Sequence, residues 1–124
     1  MLEIGRFYAV ETLIDIVKNK ADRKFDNNNR EMYDRPLLYN IYIAEGADLE
    51  TGIDVYVGKT LEVDENDNEI YPEDVQKLCL EFCYACQTFQ DVIDLEYKQK
   101  TSATYAEVIK CLNYYSEKDD FFDL

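Results

Sequence analysis

Histidine and tryptophan are both absent from this chain of 124 residues. The first absence removes the commonest general base near neutral pH and the commonest transition-metal ligand. Glycine occurs only four times and proline twice, and no stretch resembles a phosphate-cradling glycine loop or a nucleophile elbow. An enzyme reading therefore has no anchor, and neither catalytic residues nor cofactors are expected. No apolar run approaches the ~20 residues that a bilayer-spanning helix needs, and the N-terminus lacks the basic and apolar sections of a secretion signal. A cytoplasmic protein without a membrane partner is the expectation. Basic residues are scarce as well: 13 Lys and Arg stand against 27 Asp and Glu, for a formal net charge of -14.

That charge is unevenly spread. Residues 1–35 hold seven side chains of each sign and cancel, whereas residues 45–74 hold eleven carboxylates against Lys59 alone, a net -10. A concentrated field of one sign steers encounters with the opposite sign and repels nucleic acid and anionic lipid. The chain is nonetheless built to fold. Hydrophobic residues make up 47%, with eleven Tyr and six Phe, where disordered acidic chains lack aromatics. The length suits one domain over residues 1–124 with one core.

Val10, Leu13, Ile14 and Val17 recur at i, i+3, i+4 and i+7 and predict a helix over 9–19, with Lys18 and Lys20 favourable at its C-terminus. The polar stretch 21–36, with Asn27, Asn28 and Asn29 in succession, reads as a long mobile loop. Alternation predicts strands at 37–43 and 53–57, joined antiparallel through a loop holding Gly46 and Gly52. Gly58 permits a bend into a short third strand near 60–63. Pro72, Glu73 and Asp74 suit the start of a short helix at 72–78. Residues 75–86 fit both periods, and punctuation decides for a strand at 80–85: Thr88 with Asp91 resembles an N-cap pair opening a helix over 89–99. Thr104 and Glu107 match a capping box for a last helix near 105–116, with Ala106, Ile109, Cys111 and Leu112 inward. The expected fold is α+β, a small, mainly antiparallel sheet of three to four strands packed by three to four helices.

Three constellations invite chemistry. Cys79, Cys83 and Cys86 form a C-x3-C-x2-C spacing of the kind that holds an iron–sulfur cluster, and Cys111 could complete a metal site; the plainer account is four reduced, buried, hydrophobic cysteines. Asp64, Asn66 and Asn68 alternate like the first ligands of a calcium loop, but Glu69 stands where glycine is needed and Val75 where the bidentate glutamate belongs. No metal is expected. The third is the acidic segment itself, where Tyr42, Tyr56 and Tyr71 flank the carboxylates, and tyrosine is a preferred interface anchor. The expected partner-binding residues are Tyr42, Asp54, Tyr56, Asp64, Asp67, Glu69 and Tyr71, with charges steering and tyrosines holding. The ending 119–124 sets Phe121 and Phe122 among Asp119, Asp120 and Asp123, and is expected to dock on the core.

A small, acidic, single-domain chain with an aromatic-flanked carboxylate cluster resembles bacterial immunity proteins. The closer resemblance is to those of contact-dependent growth inhibition systems and related uncharacterised bacterial proteins. It is carried by Gln90-Asp91-Val92-Ile93-Asp94, Cys111-Leu112-Asn113-Tyr114-Tyr115 and the Asp119-Asp120-Phe121-Phe122-Asp123-Leu124 ending, about the last third of the chain. The resemblance implies a cytoplasmic protein that neutralises a cognate protein toxin with a basic surface, often a nuclease, by occupying or covering its substrate cleft. A nucleic-acid mimic that inhibits a restriction or CRISPR enzyme is one alternative, and a cysteine-based metal or Fe-S protein is another. The charge-balanced N-terminal third argues against a mimic running the full length of the chain.

Overall fold

The computed structural model describes residues 3–19 and 39–118, together with the backbone of 24–25 and 31–32. The elements run β1 (Arg6–Ala9), α1 (Val10–Lys18), β2 (Lys24–Phe25), β3 (Glu31–Met32), β4 (Asn40–Ala44), β5 (Asp54–Gly58), β6 (Glu62–Val63), β7 (Glu69–Ile70), α2 (Glu73–Lys77), β8 (Leu80–Ala85), α3 (Cys86–Gln99) and α4 (Tyr105–Lys118). Four strands form an antiparallel sheet in the order β1-β5-β4-β8, while β2 pairs with β3 and β6 with β7 as separate two-residue ladders. The architecture is α+β.

Alternation along the strands sends side chains to two faces. On one face Ile41, Ile43, Val55, Val57 and Tyr84 meet Val10, Leu13, Ile14 and Val17 of α1, Phe89, Val92 and Ile93 of α3, and Val108, Cys111 and Leu112 of α4 in the principal core. On the other face Tyr42, Tyr56 and Leu80 form a second, smaller core with Val75 of α2, joined by Leu61 and Tyr71. Because both faces are covered, Asn40 to Ile43 are all buried. Polar bonds fasten the layers: the Tyr84 hydroxyl donates to the Leu112 carbonyl, the Tyr105 hydroxyl donates to Asp15 (2.8 Å), and Asn113 Nδ2 donates to the Leu49 carbonyl (2.9 Å). Glu96 lies fully buried in α3. Burial, and then the nearby Glu96 carboxyl, pushes the Cys111 thiol up to about 12.

Several expectations are corrected. Arg6–Ala9 is a strand at the sheet edge, paired with β5 from Arg6↔Val57 to Ala9↔Asp54, and it leads into α1 without a connector. The segment expected as a third strand pairs not with the sheet but with Glu69–Ile70, closing a hairpin. α3 opens at Cys86, not near Thr88: its N-terminus has no side-chain cap, and the Cys86 N–H instead donates to the Tyr39 carbonyl (3.1 Å). Ala106 is exposed rather than inward. Part of the stretch read as a loop pairs as β2 with β3, while its remainder, residues 37–38 of the first expected strand and the ending with Phe121 and Phe122 lie outside the described residues. The strand at 80–85 and the capping box stand as expected: the Glu107 N–H donates to Thr104 Oγ1 (3.2 Å), and the Thr104 N–H donates to Glu107 Oε1 (3.1 Å).

Candidate functional site

β4 and β5 are antiparallel, so the loop 45–53 joins them at one end and the chain leaves β5 at the other, about 13 Å away for a five-residue strand. The expected site residues divide accordingly. Asp54 opens β5 on the loop side, opposite Ala9. Asp64, Asp67 and Glu69 come together beyond the other end, in the β6–β7 hairpin. Tyr42, Tyr56 and Tyr71 come together with Asp74 between the sheet and α2.

The hairpin turn is organised by Asp64. Its carboxylate accepts from the backbone N–H of Asn66 (2.8 Å) and Asn68 (2.9 Å), and from Asn68 Nδ2 (3.3 Å). These bonds, first from Asn68 and then from Asn66, hold its carboxyl below the usual range. Asp67 adopts a left-handed backbone at φ 60°, which aspartate tolerates better than most residues. The alternating Asp64, Asn66 and Asn68 thus build a turn from within. Eight of the eleven acidic groups in residues 45–74, namely Glu45, Asp48, Glu50, Asp54, Glu62, Glu65, Asp67 and Glu69, are exposed and make no side-chain hydrogen bond or ion pair among the described residues. The other three are Asp64, Glu73, which pairs with Lys77 at 3.1 Å, and Asp74.

Two of the three tyrosines are placed differently from the surface position expected of them. Tyr42 is 0% and Tyr56 5% exposed, so neither ring is presented to a partner. Their hydroxyls point outward into the second layer: Tyr42 donates to the Lys59 carbonyl (2.7 Å), and Tyr56 donates to Asp74 Oδ2. Burial, and then Asp74, pushes the Tyr56 hydroxyl up to about 12. Tyr71 is half-buried, edge-on to Tyr42 with ring centroids 6.1 Å apart. Across the sheet the aromatic row continues through registered neighbours, Phe7 beside Tyr56 and Phe82 beside Tyr42. The outer two rings are 49% and 40% exposed. No sequence signal separated Tyr42 and Tyr56 from surface tyrosines, because the segment covering them comes later in the chain.

Between the hairpin and α2 lies a cleft of about 610 Å³, lined by Lys59, Thr60, Glu62, Ile70, Tyr71, Pro72, Glu73, Asp74, Gln76 and Lys77. Three hydrogen bonds set its walls. Tyr42 holds Lys59, Tyr56 holds Asp74, and Gln76 Nε2 donates to the Tyr71 carbonyl (2.7 Å).

The cysteines do not assemble a ligand set. Cys79 is exposed after α2, Cys83 sits in β8, and Cys86 and Cys111 are buried in the principal core; all four are free thiols. No group of three or more His, Cys, Asp or Glu side chains among the described residues could hold a metal ion. Nor is any helix among them long and apolar enough to cross a membrane.

Fold and site together define a small α+β domain that carries an acidic hairpin and a polar cleft over one face of an antiparallel sheet. The chain belongs to the family described as a domain of unknown function, DUF7716, whose model matches residues 10–124. No curated protein and no solved structure matches it.

Proposed function

We propose that this protein is an immunity protein that binds and neutralises a cognate toxin with a basic surface, a nuclease, through the acidic hairpin and the cleft beside it. The observation that carries the reading is the set of eight exposed carboxylates without side-chain partners within residues 45–74. Carboxylates that serve the fold find partners, as Asp64 and Asp74 do. The remaining charges lower the stability of the isolated chain through mutual repulsion and are offset when a cationic surface covers them. A nuclease cleft lined with Lys and Arg for phosphate is such a surface, and complementary fields raise association to about 10⁸–10⁹ M⁻¹s⁻¹ at low salt. The chain acts in the cytoplasm by occupying the toxin and carries out no chemistry of its own.

The contact set is revised from the sequence-based one. Glu65, Asp67 and Glu69 on the hairpin, with Glu62 and Tyr71 at the cleft, face a partner, while Tyr42, Tyr56 and Asp64 hold the surface in shape. The test is growth of cells expressing each gene that neighbours this one, to find a toxic product, with and without the chain. Protection against that toxin and not against unrelated ones is expected. Equal killing in both cultures would refute the proposal.

A further inference from the structure

The cleft between the hairpin and α2 has an order of charge that its composition hides. Lys59 and Lys77 are exposed at the mouth, and Lys77 is already paired with Glu73. The half-buried lining groups are Tyr71, Pro72 and Asp74. The deeper surface therefore combines an aromatic ring, a proline and a carboxylate. Asp74 uses Oδ2 to accept from Tyr56, and Oδ1 takes no hydrogen bond among the described residues. Glu62 at the mouth is likewise without a side-chain partner. The walls are fixed before any ligand arrives, since buried Tyr42 and Tyr56 hold Lys59 and Asp74, and Gln76 holds Tyr71. A planar guanidinium matches this set: it stacks on an aromatic face, donates to a carboxylate in a fixed fork, and loses less hydration than an ammonium.

We infer that the cleft is a socket for an arginine side chain of the protein partner, with the guanidinium set between Asp74 and the Tyr71 ring and Glu62 closing the mouth. The volume of about 610 Å³ leaves room for the residues flanking that arginine. The inference rests on the reading of the chain as a binder of a basic protein, and it adds a defined anchor to what would otherwise be diffuse attraction.

The test uses Nα-acetyl-arginine amide as the probe, with the lysine and glutamine analogues as controls, titrated into the full chain while backbone amide resonances are followed. The arginine probe should shift residues 59–62 and 70–77, and bind more tightly than the lysine analogue. Asp74→Asn keeps an acceptor for Tyr56 but removes the charge, and should weaken the arginine probe about tenfold, the value of one hydrogen bond to a charged group. Glu45→Lys with Glu50→Lys, in the loop at the other end of β5, should weaken it no more than about threefold through the general field. Equal binding of the glutamine analogue, shifts spread along the acidic turn, or an unchanged affinity in Asp74→Asn would overturn the socket. Its failure is separable from that of the immunity proposal. Arginine binding by a chain that gives no protection leaves the socket standing, and protection by a chain that binds no arginine removes it.

Discussion

Gly58→Ala adds one methyl group where two buried rings converge. A Cβ at Gly58 would lie 3.0 Å from Tyr42 Cε2, 3.2 Å from Tyr42 Cδ2 and 3.2 Å from Tyr56 Cε2, against an optimum of about 3.5–4.0 Å between carbons. Neither ring is free to retreat. Tyr42 is tied to the Lys59 carbonyl and abuts Tyr71 and Phe82, while Tyr56 is tied to Asp74 and meets Phe7 edge-on at 4.9 Å. Overpacking of this kind costs about 1–3 kcal/mol. Replacing glycine returns about 0.4–1 kcal/mol by restricting the unfolded chain. The expected net loss is about 1–2 kcal/mol, a fall in Tm of about 3–8 °C for a domain of this size. Urea denaturation followed by tyrosine near-ultraviolet dichroism measures it, with Gly46→Ala as the comparison. Gly46 has φ +78° and nothing within 4 Å of a built Cβ, so its cost is purely that of the backbone. An unchanged or raised midpoint for Gly58→Ala would show that Tyr42 and Tyr56 are not held as described, and the cleft walls that depend on them would lose their support.

Other consequences are open to direct measurement. Cys79 follows α2 with a left-handed backbone, φ 55°, where glycine is favoured, so Cys79→Gly should stabilise the chain by about 0.5–1 kcal/mol in urea denaturation. The native protein at pH 8 should release one fast thiol to Ellman's reagent, and that thiol should be missing in the same variant. Thr104→Ala removes the acceptor for the Glu107 N–H and should cost about 1 kcal/mol of stability. Burial pushes Cys83 and Cys111 from 9.0 to about 12 and Tyr56 from 10.0 to about 12. Groups with raised folded-state values contribute fully below their unfolded values, so stability should be level to about pH 9 and fall through about pH 12. Asp64 and Glu107 are shifted down, so their contributions are lost as the pH falls below the ordinary carboxylate range. A urea midpoint that peaks above pH 10 would contradict the alkaline half.

The sequence carried the elements whose signals are local. The one-face spacing of Val10, Leu13, Ile14 and Val17 marked α1, and Thr104 with Glu107 marked the start of α4. What it hid depends on partners distant in the chain. β1 is only four residues long and mostly exposed, so no alternation was required of it. The N-terminus of α3 is satisfied by the Tyr39 carbonyl, a bond with no local signature. In β8 the register shifts between Ile41 and Tyr42 of its neighbour, pairing Tyr84 with Ile41 and Phe82 with Tyr42. That bulge sends Tyr84 to the principal core and leaves Phe82 beside Tyr42, although the two alternate in sequence. For the site, the acidic segment was legible as charge, and the antiparallel pair expected at 37–43 and 53–57 already put its loop and the later turn at different sheet ends; what was hidden is that the turn closes a hairpin of its own instead of adding a strand to the sheet. Tyr42 and Tyr56 read as surface anchors because the second core that buries them is assembled by Leu61, Tyr71 and Val75 further along.

The hairpin carboxylates are proposed to meet a basic partner. The most direct test is the rate at which the chain associates with the toxin that the growth experiment identifies, measured across a range of salt concentrations. Asp64 is unsuitable for charge reversal because it holds the turn; Glu65→Lys with Glu69→Lys changes exposed charges without side-chain partners. The wild-type rate should fall steeply with salt, and the double variant should associate about tenfold or more slowly with a flatter salt dependence. Identical rates and salt slopes for the two proteins would contradict the account.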